Sequence, residues 1–159
     1  MKRYLILLLG FFYQTGFCQI PAFSTFTEFE SAYLSPASDT GYIFNFWATW
    51  CKPCVDELPY FTEAADHYKN SPVKIIFVSL DSQKNKEKLD DFVDKNLKNH
   101  RVVQLTDNKY NEWIDRLDPS WAGSIPATLF VKGKKRTFHE KQFENFNDLQ
   151  THWVTFLKK

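Results

Sequence analysis

The sequence predicts an α/β fold, a central mixed β-sheet flanked by helices on both faces. Three observations predict it. Strand-like and helix-like runs alternate as β-α-β-α and then finish β-β-α, an order that packs helices onto both sides of one sheet. The aromatic and β-branched run from Gly41 to Ala48 ends abruptly in Cys51-Lys52-Pro53-Cys54, and helical spacing begins there. A chain of 159 residues with 16 Phe, 7 Tyr and 5 Trp but only 5 Gly has the bulk for one core of its own and argues against disorder.

Lys2-Arg3 forms a short positive region and Tyr4 to Tyr13 an apolar one. Gln14 to Cys18 can hold a cleavage site, with small Gly16 three residues before a cut preceding Gln19. Residues 1–18 are therefore read as a secretory signal peptide. The rival is a lipoprotein signal with Cys18 as the anchor, although Phe17 is bulky for the position before a lipid-bearing cysteine. About ten apolar residues are too few for a membrane span. Residues 19–159 then form a single domain that is exported to the periplasm, where disulfides form and persist.

Thr25 and Glu28 have capping-box spacing, and Phe26, Phe29, Ala32 and Tyr33 share one side of a first helix. Ser35 to Gly41 has turn composition. The strand ending near Ala48 follows, then a helix from about Cys51 to Lys69, with Leu58, Phe61, Ala65 and Tyr68 near helical spacing. Pro59 removes a backbone bond inside that helix and bends its axis. Val73 to Leu80 is the most strand-like run in the chain. Asp81-Ser82 is read as the cap of a helix over about Lys84 to Asn99, with Leu89, Phe92, Val93 and Leu97 inward and a solvated charged face. A short strand over Arg101 to Leu105, a helix over Tyr110 to Leu117 and a loop from Asp118 to Ser124 come next. Ala127 to Val131 and Arg136 to Glu140 form a hairpin. Asn147 to Gln150 caps a last helix that turns Leu149, Trp153, Phe156 and Leu157 inward.

Charge narrows the partners. With 20 basic and 19 acidic residues the net charge is +1, so no basic surplus points to nucleic acid. The chemistry concentrates in the cysteine pair. A sulfur at a helix N-terminus faces unpaired N–H groups and the positive end of the helix dipole, and both favour the thiolate. Cys51 is the expected nucleophile. Half of a zinc site is the first alternative, but zinc takes four ligands, and His67, His100, His139 and His152 stand at no ligand spacing. An inert disulfide staple is the second, and closing so short a loop removes little entropy from the unfolded chain.

Trp47-Ala48-Thr49-Trp50-Cys51-Lys52-Pro53-Cys54, followed by Ile125-Pro126-Ala127-Thr128, resembles the thioredoxin superfamily. The longer pattern from Asn45 through Glu57 to Pro59 resembles its exported TlpA/ResA-like branch. The resemblance implies a thioredoxin-like fold for residues 19–159, with Cys51 as attacking thiolate and Cys54 as resolving thiol. It places Pro126 where the superfamily holds a cis proline that presents the backbone of Ile125 to an extended substrate and keeps metal from the thiols. The bland alternative is a trans proline opening a strand. Trp50 is expected to flank Cys51 and touch substrate, with Trp47 packed beneath. Lys52, between the sulfurs, either favours the thiolate and contacts substrate or is an ordinary exposed lysine. Trp121 either lines the same surface or plugs the core.

Glu57 follows Cys54 by three residues, so the two share a helix side while Asp56 points elsewhere. A carboxyl beside a buried thiol can take or return its proton, and burial raises its pKa toward the working range. The alternative is a first-turn acid that complements the helix dipole. Asn45 stands where thioredoxin itself buries an aspartate. It cannot titrate, which leaves proton transfer to Glu57, or else it simply holds neighbouring backbone.

The resemblance implies a thiol-disulfide oxidoreductase that is expected to reduce protein disulfides outside the cytoplasm and to be recharged by a membrane electron donor. It acts as a monomer on disulfide or dithiol substrates, with no cofactor beyond its own cysteine pair. The alternatives are a disulfide-forming oxidant and a non-enzymatic binding or copper-handling module. A peroxide-reducing relative would carry Thr-X-X-Cys, whereas Thr49 stands two residues before Cys51.

Overall fold

The computed structural model describes residues 19–34 and 39–158. Residues 1–18, expected to be a signal peptide ending at Cys18, and residues 35–38 of the expected turn lie outside the described residues. Six strands, β1 (Ala22–Phe23), β2 (Gly41–Trp47), β3 (Val73–Ser79), β4 (Val102–Leu105), β5 (Ala127–Lys132) and β6 (Lys135–His139), form one sheet in the order β1-β4-β3-β2-β5-β6. The first four run parallel to one another, while β5 is antiparallel to both β2 and β6. Five helices surround the sheet: α1 (Phe26–Tyr33), α2 (Lys52–His67), α3 (Lys86–Asn96), α4 (Tyr110–Leu117) and α5 (Phe146–Lys158).

Alternation along β2 explains the two layers, because successive side chains leave a strand on opposite faces. Ile43 and Trp47 join Phe61 of α2, Leu89 of α3 and Trp153 of α5 in one apolar cluster. Phe44 and Phe46 join Phe29 of α1 and Trp113 of α4 in the other. Both faces of β2 are thus buried, so its sequence is almost continuously apolar. The one polar side chain inside it is Asn45, fully buried. At its start, Gly41 lies so close to the Trp153 indole that a Cβ would overlap it.

Most element boundaries match the sequence pattern. The capping box at Thr25 and Glu28 is formed, and α2 continues through Pro59. Three expectations are corrected. The helix anticipated over Lys84 to Asn99 is a 3-10 turn at Gln83–Asn85 followed by the shorter α3, with no side-chain cap from Ser82. The last helix starts at Phe146, and Asn145, two residues earlier than expected, accepts the Asp148 N–H at 2.9 Å. Leu157, expected inward, is 38 % exposed, because the buried stripe of α5 runs through Leu149, Trp153 and Phe156. The two-residue β1 was too short to leave a periodic signal.

Candidate active site

The site forms where β2 and β3 end and α2 begins. Ala48 to Cys51 make a tight turn in which the Cys51 N–H donates to the Ala48 carbonyl at 3.1 Å. Cys51 takes the N-cap position of α2 in an extended conformation, and Pro53 occupies the first turn, where a missing N–H costs nothing. The two sulfurs are joined in a Cys51–Cys54 disulfide with Cα atoms 5.3 Å apart. Cys51 keeps 6 % of its surface exposed and Cys54 none. Cys51 is therefore the member of the pair with an edge open to solvent, and Cys54 is not.

Across from Cys51 the chain enters β5 through Ile125-Pro126, and that peptide bond is cis. The Ile125 carbonyl oxygen lies 3.7 Å from Cys51 Sγ. With the sulfur in a disulfide this is a contact rather than a hydrogen bond, since no S–H is present to donate. Trp50 is 60 % exposed beside Cys51, whereas Trp47 is fully buried. Lys52 reaches forward along its own helix to Asp56, with Nζ 2.7 Å from Oδ2. Its charge is thus shared with a carboxylate one turn on. Trp121 fills the core against Phe46, Trp113 and Phe138 and donates its indole N–H to the Ser124 carbonyl, so it does not line the cysteine surface.

Glu57 is fully buried one helical turn beyond Cys54. Asn45 Nδ2 donates to its Oε1 and the Phe143 backbone N–H to its Oε2, both at 2.8 Å. Burial pushes the carboxyl up to about 7, and the two hydrogen bonds, from Phe143 and then Asn45, only partly oppose that rise. Asn45 therefore does more than hold backbone: its amide is the side-chain partner of the buried acid. Its own Oδ1 and the Thr128 hydroxyl, on the residue paired with it across β2 and β5, have no hydrogen-bond partner among the described residues. The arrangement joins a cysteine with an edge open to solvent, a fully buried cysteine and a buried acid that can change protonation near neutrality.

Two contributors were not identified from sequence. Phe143 acts through its backbone, which no side-chain pattern reveals. Asp81, expected to cap a helix, instead turns inward beneath the Ala48–Cys51 turn. Among the described residues no group of three His, Cys, Asp or Glu side chains is placed to hold a metal ion. No described helix is long and apolar enough to cross a membrane.

The fold and site define a thioredoxin-like protein with a Cys-X-X-Cys pair. The chain belongs to the AhpC/TSA family, whose model matches residues 12–137. It is 36% identical over 114 residues to the thiol-disulfide oxidoreductase ResA of Oceanobacillus iheyensis, covering 72% of this chain and 55% of that one. ResA of Bacillus subtilis is 32% identical over 98 residues, covering 62% and 50%. The chain thus spans about half the length of these curated relatives. A thioredoxin-related protein from Neisseria meningitidis serogroup B superposes with a TM-score of 0.64 at 20% identity, over 77% of this chain and 89% of that one. StoA from Bacillus subtilis superposes with a TM-score of 0.54 at 22% identity, over 75% and 85%. At these identities the two structures establish the fold.

Proposed function

We propose that the protein is an exported thiol-disulfide oxidoreductase that reduces protein disulfides through Cys51 and Cys54. The observation that carries this reading is the disulfide at the start of α2, with Cys51 keeping an edge open to solvent beside Ile125 and Cys54 fully buried one helical turn before Glu57. In the reduced protein the Cys51 thiolate attacks a substrate disulfide. A Cys51–substrate disulfide forms, and the other substrate sulfur leaves as a thiolate that takes a proton. Cys54 then gives its proton to Glu57, and its thiolate attacks Cys51 Sγ. The second substrate thiolate is released, and the Cys51–Cys54 disulfide remains. The dithiol gives two electrons to the substrate; the first substrate thiolate takes its proton from solvent, and the second takes one as Glu57 releases the proton it had from Cys54, leaving Glu57 ionised as it began.

The neighbours around the sulfurs divide the remaining work. The Ile125 carbonyl can accept a hydrogen bond from an extended substrate backbone, as in strand addition. Exposed Trp50 offers an apolar face beside the reacting sulfur, and Lys52 a cation to an acidic substrate whenever Asp56 releases it. Likeness to the ResA proteins and the amino-terminal signal pattern support action in the periplasm on protein disulfides, with a membrane donor restoring the dithiol to a monomeric protein. The test is to mix reduced protein with a disulfide-bonded peptide. Stoichiometric reduction by the parent and none by Cys51→Ala is expected. A reduced parent that left the peptide disulfide intact would replace this reading with a binding module.

A further inference from the structure

The chain leaving β3 turns inward. Asp81 is fully buried and its carboxyl meets three donors. The Thr49 N–H and the Ser79 hydroxyl reach Oδ2, each at 2.9 Å, and the Thr49 hydroxyl reaches Oδ1 at 2.7 Å. Its backbone is fixed as well. The Asp81 N–H donates to Ser79 Oγ at 3.1 Å, and Gln104 of β4 donates its Nε2 to the Asp81 carbonyl at 3.0 Å. The adjacent Leu80 N–H binds the Trp47 carbonyl at 2.8 Å. None of these bonds caps a helix, and a buried carboxyl held this thoroughly needs an explanation other than solvation.

What the carboxyl holds is the turn that carries the cysteine. Ala48 is packed in the core, but Thr49 is half-buried and Trp50 mostly exposed, so packing fades from Thr49, two residues before Cys51. At that point both the backbone and the side chain of Thr49 are tied to Asp81. We infer that Asp81 is a positioning residue: it fixes the Ala48–Cys51 turn on the end of β3 and so holds Cys51 Sγ opposite Ile125 for attack on a bound disulfide. The inference rests on the dithiol reading above. It adds a residue outside the Cys-X-X-Cys helix and the proline loop, and it makes the end of β3 a third wall of the site.

The amide of asparagine can copy this geometry. Its oxygen can accept from the Thr49 N–H and the Ser79 hydroxyl, while its NH2 group donates to the Thr49 hydroxyl. Asp81→Asn should therefore keep the turn and Asp81→Ala should release it. The experiment measures kcat and KM for reduction of a disulfide-bonded peptide by the full chain, with a small-molecule dithiol present to restore the Cys51–Cys54 pair and its own background rate subtracted. Iodoacetamide alkylation of Cys51 at high pH reports intrinsic thiolate reactivity, and amide hydrogen exchange reports the order of the turn. In Asp81→Ala, kcat/KM should fall about tenfold or more, the scale at which small misplacements of a reacting group are felt. Its alkylation should stay within about threefold of the parent, since a small reagent needs no fixed approach. The amides of Thr49 and Trp50 should exchange at least about tenfold faster, while those of β2 and β3 keep their protection. Asp81→Asn should stay close to the parent in all three.

Parent-like peptide reduction by a folded Asp81→Ala would overturn the inference, as would an Asp81→Asn that falls equally far. If Asp81→Ala does not fold, Thr49→Val decides, because it removes only the hydroxyl bond; an unchanged kcat/KM there would overturn it too. A parent chain that reduces no peptide would sink the proposed function instead. Hydrogen exchange would still show whether Asp81 holds the turn, and unaltered protection in Asp81→Ala would refute that.

Discussion

Replacing Glu57 by glutamine tests the buried acid through stability and chemistry together. The shape is kept, and the new amide can be satisfied in place: one donor still comes from Phe143, and Asn45 can turn its unpartnered Oδ1 toward the introduced NH2 group. The raised carboxyl fixes the expected magnitude. A shift from 4.5 to about 7 corresponds to about 3 kcal/mol disfavouring the ionised form in the fold. The sign follows from proton counts. Between those two values the folded protein keeps the Glu57 proton and the unfolded chain has lost it, so stability falls as pH rises. The contribution is fully present below about 4.5 and gone above about 7. His139 works in the opposite direction nearby, since burial and then the neighbouring His152 hold it below its usual range. It is common to both proteins and cancels in their difference. Urea unfolding of both proteins from about pH 4 to 8.5 should therefore show the wild type losing about 3 kcal/mol relative to Glu57→Gln across the interval. In the same variant, displacement of substrate by Cys54 should slow about a hundredfold, the low end of general acid–base effects, and lose its dependence on pH near 7. A flat difference in stability would mean that Glu57 ionises as an ordinary acid, and its assignment as the proton acceptor for Cys54 would fall with it.

Other substitutions probe the remaining parts. Cys54→Ser should leave Cys51 able to attack and unable to be displaced, so a mixed disulfide with the peptide should accumulate on a non-reducing gel; none would appear if Cys54 were the attacking sulfur. Trp50→Ala should change the unfolding free energy by no more than about 0.5 kcal/mol, because the side chain is mostly exposed, yet raise KM for peptide disulfides. An unchanged KM would remove Trp50 from the substrate surface. Gly41→Ala should cost about 1–3 kcal/mol in urea unfolding, since the added methyl overlaps the Trp153 indole, and leave peptide reduction intact in the folded fraction.

The parts of this site that were legible in the sequence are those that a local pattern encodes. The change from the β2 run to helical spacing at Cys51 announced both the strand and α2, and the distant Ile125-Pro126 supplied the opposing wall through the superfamily resemblance. Glu57 was legible because helical spacing alone puts it one turn beyond Cys54. Asp81 was not. An aspartate and a serine after a strand carry the same local signal as a helix cap, and only the register of Trp47 with Ser79 brings the Ala48–Cys51 turn within reach of that carboxyl. Phe143 escaped for a related reason, since its contribution to Glu57 is a backbone N–H delivered by the connection between β6 and α5. Trp121 is a loop aromatic that the sequence leaves open between the site surface and the core, and its ring neighbours place it in the core.

The central claim is that Cys51 and Cys54 form a reversible dithiol couple poised to reduce. Its most direct test is equilibration of the protein with redox buffers of known potential, counting Cys51 and Cys54 thiols at each point, with Cys51→Ala as control. The account predicts one two-electron transition, absent in the control, at or below about −250 mV, near the value of about −270 mV for thioredoxin. A midpoint near −120 mV, roughly that of a strong oxidant, would contradict the reductive direction. No reversible transition at all would contradict the enzymatic reading itself.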